Sequence, residues 1–226
     1  MKKPFFDLRC FAVLPVVFLS ILGTALWGAA NDTPKSPVAA LSPEGTSSIA
    51  LLSAFFGLDN ALPFRANILC LGASSLDGMP VVLSRTIEPD SLEPEDFQIV
   101  TKSGKTHSPR CVTLRPAQDP GELRTVLLIG EFGNADDDPP ALVRVVGDLF
   151  SDENVSDKRS RVNFRGTQVE VTPLQDGPSL VFAEIVPLNN VAQDTRGSAC
   201  PDDANQIIRV IWNGGVRLLN RDELGD

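Results

Sequence analysis

Tyrosine is absent from the 226 residues, histidine occurs once and tryptophan twice. A single histidine removes the paired-imidazole ligand sets of common zinc sites, and no two of the four cysteines stand at zinc-ligand spacing. It also makes any serine–histidine hydrolase depend on His107 alone. Aromatics amount to 6% of the chain, and Trp27 belongs to an N-terminal apolar segment. That leaves Trp212 as the one indole platform for a sugar ring, which disfavours catalysis by paired carboxylates on glycans. Basic residues are also scarce: 20 Lys and Arg against 29 Asp and Glu give a formal charge of -9. Residues 1–30 carry Lys2, Lys3 and Arg9 against Asp7, so the rest of the chain is more acidic still. Such a surface repels phosphate backbones, which excludes nucleic acid as a partner and disfavours anionic bilayers. Cationic groups and metal ions are the charged partners it suits.

What is present begins with an address. Lys2 and Lys3 precede an apolar run from Phe11 to Leu22, and small residues follow up to Ala30. Positive start, apolar middle and small-residue end are the order of a secretory signal, with cleavage expected after Ala30. The alternative is an uncleaved membrane anchor, since residues 11–30 are about long enough to span a bilayer. Contact with a membrane is expected only in that case. Either way the bulk of the chain is expected to be secreted, at the cell surface or in the periplasm. Thiols there tend to pair. The exported part holds Cys70, Cys111 and Cys200, enough for one disulfide and one leftover thiol. Cys70 lies in the apolar run 67–71 and reads as a small core residue, whereas Cys200 stands beside Pro201 in a loop. Spacing does not decide among the pairings; Cys111 with Cys200 is the pair expected.

Residues 31–46, rich in Pro, Ser and Gly, read as a linker. Ser47 or Ser48 then caps a short expected helix through Ile49, Leu52 and Phe56, with Gly57 as its stop. Phe55, Phe56, Leu58, Leu62 and Phe64 are expected to plug one end of the core, and their alternative role is a hydrophobic patch that docks a partner. From residue 67 onward the pattern is strand and turn, with Gly 17 and Pro 18 supplying the breaks. Strands are expected over 67–71, 79–85, 96–101, 110–115, 124–131, 142–147, 162–172 with a break at Gly166, 180–186, 206–212 and 216–219. The last two are expected to form a hairpin through Asn213-Gly214. Residues 1–30 thus form a signal or anchor, 31–60 a linker with the short helix, and 61–226 a single sandwich-like domain.

Within that domain, Pro80-Val-Val-Leu-Ser-Arg-Thr-Ile87, Pro89-Asp-Ser-Leu92, Asp96-Phe-Gln-Ile-Val-Thr101, Ser103-Gly104 and Cys111-Val-Thr-Leu-Arg-Pro116 follow one another. The succession resembles the immunoglobulin-like modules of bacterial surface and secreted proteins, over about residues 76–132. The resemblance implies an all-β, immunoglobulin-like or related antiparallel β-sandwich, and a spacer or adhesive role.

Three motifs test for chemistry. Gly72-Ala-Ser74 begins like a nucleophile elbow but lacks its closing glycine, and Asp77 or Asp90 with His107 would have to complete a triad. Gly104-Lys105-Thr106 echoes a phosphate loop, but Ile99 replaces the earlier glycine and Pro109 blocks the helix that must follow. Asp136, Asp137 and Asp138 crowd one loop tip, Asp152 and Glu153 a second, Asp202 and Asp203 a third. Convergent carboxylate loops can ligate calcium, so the triple aspartate is the candidate metal site and calcium the one cofactor considered. The function expected is a non-catalytic binding or structural module with a protein or glycan ligand. A secreted hydrolase using loop carboxylates, or a calcium-stabilised adhesion module, are the alternatives.

Overall fold

Strand pairing organises the protein, and the computed structural model describes it over residues 48–118, 122–152, 161–188 and 203–215. The described strands are β1 (Leu51–Phe56), β2 (Asp77–Leu83), β3 (Phe97–Thr101), β4 (Thr106–His107), β5 (Cys111–Thr113), β6 (Thr125–Gly130), β7 (Pro140–Val145), β8 (Gln168–Pro173), β9 (Leu180–Pro187) and β10 (Gln206–Trp212). The helices among the described residues are short 3-10 turns. The fold is all-β. The first eight strands form one curled sheet in the order β4-β3-β7-β8-β1-β2-β6-β5, and β9 and β10 form a separate two-stranded ribbon.

The curl follows from how apolar residues alternate. Met79, Val81 and Leu83 of β2 and Val126 and Leu128 of β6 point inward with Ala54 and Phe56 of β1. They meet Phe97 and Ile99 of β3, Val143 and Val145 of β7, and the loop residues Phe132, Leu149 and Phe164 in one cluster. The two halves of the sheet are therefore the two walls of one core, joined along β1 and β8. That join is parallel, Ala54 to Phe56 against Val171 to Pro173, whereas the other pairings in the sheet are antiparallel.

The outer face of the β1-β2-β6-β5 half is covered as well. Leu62, Ala66, Cys70 and Ala73, from the segment between β1 and β2, pack on Ile129 with Cys111 and Leu127 alongside. The ribbon covers the region beside it: Asn213, almost wholly buried, donates through Nδ2 to Ser53 Oγ at 3.0 Å. Its Oδ1 accepts the Ser179 amide at 2.7 Å. The buried Arg124 guanidinium lies 4.3 Å from the centroid of the Phe182 ring and 3.5 Å from Glu184, which also accepts from Arg209 at 2.6 Å.

Several expectations are corrected. The short N-terminal helix is instead strand β1, which lies inside the large sheet. Its apolar run is nearly continuous because both faces are covered, and covered strands read without a period. Residues 67–71 are not a strand but part of a turn that opens with a 3-10 helix over Phe64–Ile68. That turn carries Cys70 across the outside of β5, where it bonds Cys111, not Cys200, with a Cα–Cα distance of 6.4 Å. Cys200 lies outside the described residues, as do the signal or anchor, the linker and the strand expected at 216–219. The described partner of β10 is β9. Strand β7 lies between β3 and β8, with Arg144 on a face open to solvent.

Leu128 is fully buried while its neighbour Leu127 is half-buried on the outer face. Leu128→Asp is therefore expected to abolish folding by burying an unpaired charge, and Leu127→Asp to leave a folded, less stable protein, as circular dichroism would read. Replacing both Cys70 and Cys111 by Ser opens a loop spanning 41 residues in sequence separation. The expected loss, measured by denaturant unfolding, is about 4 kcal/mol by loop entropy.

Candidate functional site

The tip at residues 133–140 is built by hydrogen bonding. The Asn134 and Asp138 backbones exchange two bonds, 3.2 and 3.1 Å, which close the loop. Asn134 Oδ1 accepts the amides of Asp136 and Asp137 at 2.9 and 3.2 Å. Gly133 has φ +118°, and a Cβ there would meet the Asp138 carbonyl oxygen at 2.3 Å, so glycine is required. The three aspartates then separate. Asp136 and Asp137 are exposed, while Asp138 turns onto the β3–β4 hairpin.

There Asp138 accepts from Ser103 Oγ at 2.7 Å, the Ser103 amide at 2.8 Å and Thr101 Oγ1 at 3.1 Å, with Lys105 Nζ at 3.4 Å. The Ser103 hydroxyl and amide lead these donors in holding the Asp138 carboxyl down to about 2. Asp138 is a clasp between two loops. Asp152 donates its amide to the Thr86 carbonyl, Asp203 is exposed, and Glu153 and Asp202 lie outside the described residues. Among the described residues no three His, Cys, Asp or Glu side chains gather as a metal site would require.

The triad residues are also held apart. Asp77 is almost fully buried, and burial pushes its carboxyl above the ordinary 3.8 although the amides of Asn60 and Phe132 oppose the shift. Those amides donate to its two oxygens at 2.8 and 2.7 Å, so Asp77 braces loops and does not orient His107. The Ser74 amide is bonded to Asn67 Oδ1 at 3.0 Å. No hydrogen bond among the described residues joins Ser74 to His107. Asp90, exposed in a 3-10 turn, has none to His107 either. A polar hollow of about 320 Å³ is lined by His107, Ser108, Arg110 and Glu131, and among the described residues His107 Nε2 is buried without a hydrogen-bond partner.

A different feature stands out on the turn pinned by the disulfide. Leu62, Ala66, Cys70 and Ala73 recur at helical spacing and face the sheet. Phe64, Ile68 and Leu71 recur at the same spacing on the opposite side and are 79%, 79% and 85% exposed. A turn apolar on both faces is satisfied on one side only. Burying each of these three side chains would contribute about 1.5–3 kcal/mol, which solvent exposure forgoes. Beside them a cavity of about 580 Å³ opens between the turn and the β5–β6 edge, floored by Leu62, Ala66, Leu69 and Leu127. Sequence reasoning assigned Phe64 to the core and residues 67–71 to a strand. The two interleaved helical repeats over 62–73 were the signal that could have shown both faces.

No family model, curated protein or solved structure matches this chain. Its own geometry therefore carries the functional reading.

The low pKa of Asp138 has a sign. Because the folded-state value lies below the ordinary 3.8, the clasp stabilises above that pH and its contribution disappears as pH falls toward about 2. Asp138→Asn is expected to lower the melting temperature at neutral pH, and the gap from wild type to narrow progressively on acidification below about pH 4, in thermal melts across pH.

Proposed function

We propose that the chain is an exported, non-catalytic binding module of the immunoglobulin-like sandwich type, acting at the cell surface, in the periplasm or outside the cell. Strand order supports the sandwich. An immunoglobulin domain sets its first, second, fifth and fourth strands side by side, and its third, sixth and seventh opposite them. With the two-residue β4 taken as an addition after the third strand, β1-β2-β6-β5 and β3-β7-β8 follow that order. The Cys70–Cys111 disulfide fits an oxidising compartment.

The observation that carries the binding role is the exposed face of Phe64, Ile68 and Leu71. A disulfide and a packed inner face hold it rigid, so its exposure is a property of the native fold. Large exposed apolar patches mark interaction sites. Two of the carboxylates weighed for catalysis, Asp77 and Asp138, are occupied with backbone amides and hydroxyls.

Expression of the full chain should give a protein whose N-terminus is Asn31 and in which Cys70 and Cys111 resist alkylation unless reduced. Retention in the cytoplasm with both thiols free would refute export. On ester, peptide and glycoside substrates no turnover is expected. Turnover that vanishes in His107→Ala or Ser74→Ala would refute the non-catalytic reading.

A further inference from the structure

We propose that the cavity beside the 62–71 turn docks a segment of another protein that carries a large apolar side chain next to carboxylates. This rests on the binding-module reading and names the chemistry of the partner. The lining residues Leu62, Ala66, Leu69 and Leu127 suit an apolar side chain, and the exposed Phe64 and Ile68 stand next in the chain to the lining residues Pro63, Arg65 and Leu69.

Charge selects the occupant. Arg65 and Arg115 line the cavity, and neither carries an ion pair among the described residues. Arg115 donates Nε to Gln118 Oε1 at 3.0 Å. Of the other described arginines, Arg124 and Arg209 meet Glu184, Arg161 meets Glu88 and Arg165 meets Asp148, while Arg144 donates to Gln168. Unpaired guanidinium groups at an apolar cleft recognise carboxylates, with charge-assisted hydrogen bonds strengthened by partial exclusion of water. A second copy docking face to face would set like arginines against each other across a two-fold axis. A bilayer needs no concavity, and a protein of net charge -9 is repelled by anionic lipid.

The test pans a displayed library of random short peptides on the full chain with its disulfide intact, using the Ile68→Ser chain for counter-selection. Ile68 is exposed, so that variant should melt with wild type, and Leu71→Ser serves as a second if it does not. The expected result is enrichment of peptides with a large apolar residue beside Asp or Glu. A synthetic copy of the enriched peptide should bind about tenfold more weakly to Arg65→Gln or Arg115→Gln, and more weakly as salt rises. Enrichment of neutral or basic peptides, or affinity unchanged in both arginine variants, overturns the acidic partner while binding that still requires Ile68 preserves the module reading. No enrichment over counter-selection overturns the proposal. Ile68-dependent binding to phosphatidylcholine–phosphatidylglycerol vesicles, with no peptide enriched, overturns it in favour of a membrane.

Discussion

The fold depends on one strand belonging to two half-sheets at once. β1 pairs with β2 through Leu51, Ser53 and Ala54, and with β8 through Ala54, Phe55 and Phe56. Ala54 is the shared residue, fully buried, and its small side chain lets the two walls approach. The register shifts between Leu51 and Ser53, and such irregularities raise local twist and bend the strand. Without that join the β8-β7-β3 wall would have no fixed position over β2 and β6. Phe97, Phe132 and Phe164 would then lose the surfaces that bury them.

The same strand sets the outer layer. Because alternate residues of a strand face opposite ways, Ser53 and Phe55 point outward where Ala54 and Phe56 point in. Ser53 bonds Asn213, and the Phe55 ring lies against Gly214, where a Cβ would meet Cε1 at 2.7 Å. The ribbon is thereby seated, and Arg124 and Arg209 meet Glu184 between ribbon and sheet. Two-stranded ribbons are marginal alone, so this seating is what makes the ribbon part of the fold.

An acidic chain is expected to spend its carboxylates on solvation, yet buried and half-buried ones here act as acceptors for loop amides. Asp59 takes Ala135, Asp77 takes Asn60 and Phe132, and Asp96 takes Glu93. Each fixes a loop whose backbone donors have no ladder partner, which is the general requirement for buried polar groups. Gly147 follows from one of these arrangements, since a Cβ there would stand 2.1 Å from Asp96 Oδ1. Loops held this way keep the exposed apolar turn as a rigid surface.

Sequence alone determined the all-β class and most strand positions, because alternation and turn residues act locally: β2, β3, β5, β6, β7, β9 and β10 lie where the pattern placed them. It failed at β1, where burial on both faces erased the period, and at 64–71, where an apolar run without turn signals could be strand or helix. It read Cys70 rightly as a buried residue but paired Cys111 with Cys200, where the structure bonds Cys111 to Cys70. Partner choice depends on which loop crosses which strand, and no spacing encodes that crossing. Only the tertiary structure decided that Asp138 turns away from Asp136 and Asp137, that Asp77 is a brace, and that Phe64, Ile68 and Leu71 face water. Residue type sets what a side chain can do; which of its possible partners come within a few ångströms is set by long-range packing.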